Sequence, residues 1–104
     1  MKHWYNFNDI LIDFIIPRLK EFKRKNVNSY PATYKNSEDW HKDIDEMLYC
    51  LKEIRTEKHL KWILNKRTDN KITQEEFKKL YEERAVRLTK GLELFGRSIP
   101  DFWD

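Results

Sequence analysis

The sequence predicts an all-α protein, built as a three-helix bundle or an extended helical hairpin. Three observations predict this class. Only two glycines and three prolines occur in 104 residues, fewer than a turn-rich β sandwich needs. Apolar residues recur at helical spacing in three long segments. Capping residues precede these segments. The length suits one domain, which we place at residues 1–104.

The first helix is expected to begin at a cap, Asn8 or Asp9, and to carry an apolar stripe over residues 10–22. Pro17 lies inside that stripe. Because proline lacks an N–H and clashes with the preceding turn, we predict a kink at Pro17 or a break just before it. The Asn/Ser/Thr-rich segment around Pro31 predicts a loop.

The second helix is predicted to begin near Asn36 or Ser37, and Trp40 opens its apolar stripe. The stripe thins across residues 55–59 and resumes over residues 60–64. One helix with a polar stretch and two separate helices both fit this pattern, and we favour one helix.

The third helix has the clearest start signal in the chain. Thr73 followed by Glu76 has the spacing of a capping box, in which each side chain accepts a hydrogen bond from the other residue's backbone N–H. The apolar stripe then continues from Phe77 to Phe95, and Gly96 is expected just beyond the end of the helix.

The C-terminal segment is unusually aromatic for a chain end. Pro100 is expected to stop the helix, leaving Ile99, Phe102 and Trp103 free to fold back beside Phe95. Burying a Phe or Trp side chain contributes about 2–3 kcal/mol, enough to hold a short tail in place. We therefore predict an aromatic tail packed on the core; the alternative is a peptide that docks into another protein.

Charge and cysteine content exclude several classes of protein. The net charge of +3 is too small to indicate a nucleic-acid binder, and its sign argues against a DNA mimic. Cys50 is the only cysteine, so no internal disulfide can form. The N-terminus lacks the plan of a signal peptide, and the run at residues 14–16 is far too short to span a bilayer. We expect a cytosolic protein with no membrane contact.

Two segments imitate metal sites. Residues 65–76 follow the spacing of a calcium-binding EF-hand loop, but Arg67 and Asn70 replace a carboxylate ligand and the glycine of the turn. Asp39, Asp43 and Glu46 could hold magnesium if a second acidic pair faced them, at residues 75–76 or 82–83. The capping box and a solvated acidic face explain these segments more simply. We assign no catalytic residue, metal ligand or cofactor.

Basic and aromatic residues offer a candidate site for an anionic ligand. Arginine binds phosphate or carboxylate bidentately, and aromatic rings stack on bases. Arg84 is in phase with the apolar stripe, so its guanidinium is expected to face a partner; an ordinary ion pair with Glu38 or Asp45 is the alternative. The candidate ligand-binding residues are Lys23, Arg24, Tyr30, Tyr34, Tyr81, Arg84 and Arg87.

Three stretches, "FIIPRLKEFK" (14–23), "YP…SEDWHKDIDEMLYCL" (30–51) and "GLELFGRSIPDFWD" (91–104), resemble a family of small uncharacterised tailed-bacteriophage proteins. That family combines an apolar-PRL helix, a YP loop and a C-terminal Gly-Leu-x-Leu-Phe…Trp-Asp ending. The resemblance covers about half of the chain and leaves residues 55–90 without a counterpart.

The resemblance implies a phage accessory protein in the host cytoplasm. We expect a non-enzymatic, homo-oligomeric protein that neutralises a host component. It would act either by engaging a host protein or by sequestering a nucleotide immune signal. The alternatives are a magnesium-dependent all-α nucleotide hydrolase and a structural or assembly protein of the virion.

Overall fold

The computed structural model describes the backbone of residues 3–103 and the side chains of residues 8–102. Four α-helices follow one another: α1 (His3–Lys25), α2 (Ser37–Thr56), α3 (Lys58–Thr68) and α4 (Gln74–Ser98). A 3₁₀ helix, Ile99–Trp103, follows α4, and no strand occurs within residues 3–103. The predicted all-α class is confirmed.

The caps predicted for the second and third helices act as their sequence positions predict, whereas α1 begins at His3, so the predicted start at Asn8 or Asp9 is wrong. Asn36 precedes α2, and its side-chain oxygen accepts a hydrogen bond from Asp39 N at 2.8 Å. Thr73 precedes α4, where Thr73 Oγ1 accepts from Glu76 N at 3.1 Å and Glu76 Oε1 accepts from Thr73 N at 2.8 Å. Both helices therefore begin with part of their free N–H groups satisfied.

Residues 37–68 form two helices, so our preference for one helix is wrong. The chain turns at Glu57, whose backbone is left-handed (φ 57°, ψ 28°). A non-glycine residue adopts this conformation at a cost of about 1–2 kcal/mol. The carboxylate of Glu53 offsets that cost, because it accepts hydrogen bonds from the first free N–H groups of α3.

α1 continues through Pro17 without a break, and Pro17 is exposed. The kink stays a prediction. At the other end of the chain, α4 continues past Gly96 to Ser98, so the predicted end at Gly96 is wrong. Pro100 has no N–H to donate to Gly96 O, and Ile99 N donates to that carbonyl instead, which tightens the chain into the 3₁₀ helix.

The core lies where α1 and α4 both pack against α2. Trp40, at the start of α2, is 1% exposed. Its ring contacts Phe22 of α1 and Phe102 of the 3₁₀ helix, with centroid separations of 6.3 and 5.7 Å. Phe102 also contacts Phe22 and Phe95. The Trp103 side chain lies outside the described residues, so packing of the whole tail stays a prediction. The other buried apolar residues are Ile12, Leu19, Ile44, Met47, Leu48, Cys50, Leu51 and Ile63.

Candidate functional site

Arg84 points into the protein, where its partner is a residue of the same chain. Its Nε donates to Glu53 Oε2 at 2.7 Å, and the two side chains are only 13% and 4% exposed. Arg84 thus forms a buried ion pair between α4 and α2, with Glu53 as the partner that the sequence did not indicate.

Arg87 also forms an ion pair with a carboxylate of the same chain. It donates to both carboxylate oxygens of Glu46, at 2.7 and 2.9 Å, and its guanidinium lies 3.6 Å from the centre of the Tyr49 ring. The bonds from Arg87 lower the pKa of Glu46 despite its partial burial. Tyr81, in contrast, is half-exposed and contacts Phe77 at a centroid separation of 6.0 Å.

The remaining predicted ligand residues lie near the C-terminal end of α1 and in the loop after it. Lys23 pairs with Asp45 at 2.6 Å, and Arg24 pairs with Glu21. Tyr34 donates to Asp43; burial, followed by that hydrogen bond, raises the pKa of Tyr34 to about 12.

Tyr30 is exposed beside a small cavity lined partly by Phe22 and Trp40, whereas Tyr34 lines a second cavity with Arg97. Arg87 lies elsewhere, along a surface of α4. The structure therefore spreads the predicted set over several places.

Two of the three carboxylates proposed for a magnesium site are likewise engaged within the chain. Asp43 accepts from Tyr34 and Glu46 accepts from Arg87. No group of three His, Cys, Asp or Glu side chains within the described part of the chain has the arrangement needed to hold a metal ion.

A different site is formed where α2 turns into α3, and we call it the elbow pocket. It has a volume of about 460 Å³, within the range of small-molecule sites. Positions three and four apart place its α2 residues on one face of that helix, and its α3 residues follow directly after the turn. The lining residues are Tyr49, Lys52, Glu53, Thr56, Lys58, His59 and Trp62.

One wall of the elbow pocket is aromatic. Tyr49 Oη and His59 Nδ1 are joined by a 3.2 Å hydrogen bond, and the His59 ring lies 5.8 Å from that of Trp62. Trp62 is 49% exposed, although the Lys66 ammonium lies 4.6 Å from its ring centre. Because Arg87 covers one face of Tyr49, Trp62 is the ring best placed to stack on a planar ligand.

The other wall carries cations that repel one another. The charge of Lys20, on the neighbouring helix α1, is the main cause of a lowered pKa at Lys52. Lys58 acts in the same direction. Asp45 opposes them, but its carboxylate is already paired with Lys23. No described carboxylate forms an ion pair with Lys20, Lys52 or Lys58.

Sequence reasoning missed this site, although one signal pointed to it. Residues 55–72 carry a net positive charge together with His59 and Trp62, and they have no counterpart in the phage-protein resemblance. The phosphate-binding candidates of the sequence analysis include three arginines, whose planar guanidinium binds a phosphate or a carboxylate bidentately. The same geometry lets Arg84 and Arg87 pair with Glu53 and Glu46.

Comparison with known proteins adds no relative: no protein family, curated protein or solved structure matches this chain. Among the described helices, none is both long enough and apolar enough to cross a membrane.

Proposed function

We propose that this chain is a non-enzymatic binding protein whose elbow pocket captures a small anionic ligand with a planar ring, of the chemical class of nucleotides. The observation that carries this proposal is the position of Lys52 and Lys58 beside Trp62 in one pocket, with no described carboxylate paired to either lysine and with the charge of Lys20 lowering the pKa of Lys52. Like charges held together are costly, and a bound phosphate removes that cost.

The two walls suit the two parts of a nucleotide. Each lysine ammonium presents three donors to phosphate oxygens, and the lysine stems reach the pocket from two helices. The half-exposed Trp62 offers a surface on which a base can stack, a contact worth about 1–3 kcal/mol.

Capture without turnover is favoured by the state of the acidic residues. Asp43 and Glu46, two of the three carboxylates that the magnesium-dependent hydrolase would use as ligands, are held by Tyr34 and Arg87. Glu53, the carboxylate that lines the elbow pocket, is held by Arg84 and two backbone N–H groups.

We further propose that the setting is phage infection, with the ligand a nucleotide signal of the host's defence and the protein in the host cytoplasm. The support is the resemblance of residues 14–23, 30–51 and 91–104 to a phage-protein family. Engagement of a host protein and a role in the virion are the alternatives that remain if no nucleotide binds.

Calorimetric titration tests the site directly. Adenosine monophosphate and a cyclic dinucleotide are titrated in the presence of EDTA, with adenosine and inorganic phosphate as partial ligands. We expect both nucleotides to bind and both partial ligands to bind more weakly. The double variant Lys52→Gln/Lys58→Gln should lose at least about tenfold in nucleotide affinity, because hydrogen bonds to charged groups contribute about 1.5–3 kcal/mol each.

The matched control is Lys61→Gln, which removes an exposed lysine of α3 outside the pocket lining and should leave affinity unchanged. Trp62→Ala should weaken nucleotide binding about tenfold or more while leaving phosphate binding unchanged. Equal affinities for the double variant and the wild type would refute the site. Consumption of the nucleotide that stops in EDTA would favour the hydrolase.

A further inference from the structure

α1 exposes apolar side chains that the neighbouring helices do not cover. Six of the seven residues at 10–16 are apolar, and the one polar residue among them, Asp13, pairs with Arg55 of α2. Ile12 is buried in the core, but Ile10 and Phe14 are 67% and 54% exposed. A helix that is apolar all round is normally buried all round. The side of α1 that faces away from α2 therefore lacks a partner within the described part of this chain.

The exposed side of α1 continues into an apolar cleft, which we call the α1–α4 cleft. α1 packs against α2, and α4 also packs against α2. The space between α1 and α4 has a volume of about 450 Å³. Its apolar lining consists of Phe14, Ile15, Leu19, Phe22, Phe95 and Phe102.

The chain exposes more surface than a folded monomer of its mass. Its accessible surface is 7961 Å². A compact monomer of 12.9 kDa is expected to expose about 6,300 Å², which is about 1,600 Å² less. The radius of gyration points the same way, because it is 16.3 Å against about 13 Å for a compact domain of this length.

This excess surface of about 1,600 Å² is comparable to the area that one subunit buries in a stable interface. Obligate homodimers bury about 1,000 Å² or more on each partner. The molecule is also only 19 Å thick against 48 and 37 Å in its other dimensions, slightly less than two helix diameters at its thinnest. A second layer of helices would supply the missing cover.

We propose that the exposed side of α1 and the α1–α4 cleft form a two-fold interface with a second copy of this chain. The excess surface is a property of this chain's own fold, so it is best covered by another copy of that fold. A two-fold contact also requires a surface complementary to itself. The rim of the cleft supplies charges of both signs, Arg18 and Lys25 with Glu21.

Phe14 is the side chain that this interface uses most directly. Arg18 donates to Phe14 O at 2.9 Å and places its guanidinium 3.5 Å from the Phe14 ring centre, which holds the ring beside the cleft. In the two-fold arrangement each Phe14 packs against the cleft of the partner copy. The elbow pocket uses other residues, so this inference and nucleotide capture succeed or fail independently.

Light scattering coupled to size-exclusion chromatography tests the interface. The wild-type protein is expected to have twice the 12.9 kDa chain mass, or an even multiple of it. Phe14→Glu should reduce the mass to that of one chain while its circular dichroism stays helical. Val86→Glu is the matched control, because Val86 is equally exposed (53%) but lies on α4 outside the cleft, and this variant should keep the wild-type mass.

A wild-type protein with the mass of one chain at all concentrations up to 0.1 mM (about ten thousandfold above a tight dimer constant) overturns the proposal. So does a Phe14→Glu variant that keeps the wild-type mass. If Phe14→Glu fails to fold, Ile10→Lys gives the same readout at a more exposed position. A monomer that binds a host protein through Phe14 would also overturn it and assign the cleft to that protein.

Discussion

At the residue scale, Glu53 links three helices. This carboxylate of α2 is 4% exposed and accepts hydrogen bonds from His59 N at 2.9 Å, Leu60 N at 3.0 Å and Arg84 Nε at 2.7 Å. Glu57 supplies no side-chain cap to α3, so Glu53 performs that role. Burial alone would raise the pKa of Glu53, but the hydrogen bonds from His59, Arg84 and Leu60 outweigh it and lower the pKa.

Replacing Glu53 with Gln should reduce the free energy of unfolding by about 3–5 kcal/mol, because the substitution leaves Arg84 buried without a counter-charge. Urea denaturation followed by circular dichroism measures this loss. Glu93→Gln, at an exposed position of α4, is the control and should change stability by less than about 0.5 kcal/mol.

The difference in unfolding free energy between wild type and Glu53→Gln should also depend on pH. Because the folded state lowers the pKa of Glu53, the ionised carboxylate stabilises the fold above the ordinary glutamate pKa of about 4.3, and that stability is lost as the pH falls through the folded value. The stability difference between wild type and Glu53→Gln should therefore shrink below about pH 4. A difference that stays constant down to pH 2 would contradict the assigned role of the charge.

At the element scale, α2 and α4 approach each other closely at Gly91. A Cβ atom at this position would lie 2.2 Å from Cys50 Sγ and 2.9 Å from Cys50 Cβ. Glycine inside a helix costs about 1 kcal/mol relative to alanine, so its presence here serves the close contact. Burial, together with the charge of Glu46, raises the pKa of the Cys50 thiol to about 11, which keeps that thiol protonated and inert.

Gly91→Ala should destabilise the protein by about 1–3 kcal/mol, because the added methyl group overpacks the α2–α4 contact. Gly96→Ala is the matched control in the same helix: nothing lies within 4 Å of its added Cβ, so it should stabilise by up to about 1 kcal/mol. Thermal denaturation of both variants checks the pair. Similar melting temperatures for Gly91→Ala and Gly96→Ala would contradict the close approach of α2 and α4 at Gly91.

Sequence reasoning succeeded for elements whose signals are local. The caps at Asn36 and Thr73 and the stripes of α1, α2 and α4 depend on residues within a few positions of one another. The turn at Glu57 could not be predicted in this way. No glycine or asparagine marks it, and its left-handed backbone depends on Glu53 reaching forward to cap α3.

At the scale of the whole molecule, the candidate site depends on that turn. The turn at Glu57 brings Lys58 and Trp62 of α3 to the same pocket as Lys52 of α2, so a sequence interpreted as one long helix cannot place them together. The carboxylate partners of the arginines could not be predicted from the sequence either, because Glu53 and Arg84 are 31 positions apart and Glu46 and Arg87 are 41 apart.

Native mass spectrometry in the presence of excess cyclic dinucleotide tests the central claim, capture of an intact ligand, most directly. The account predicts a wild-type complex whose added mass equals that of the unaltered dinucleotide, with the adduct absent from Lys52→Gln/Lys58→Gln and present in Lys61→Gln. Protein without an adduct, an adduct with the mass of a hydrolysis product, or equal adducts in all three proteins would contradict it.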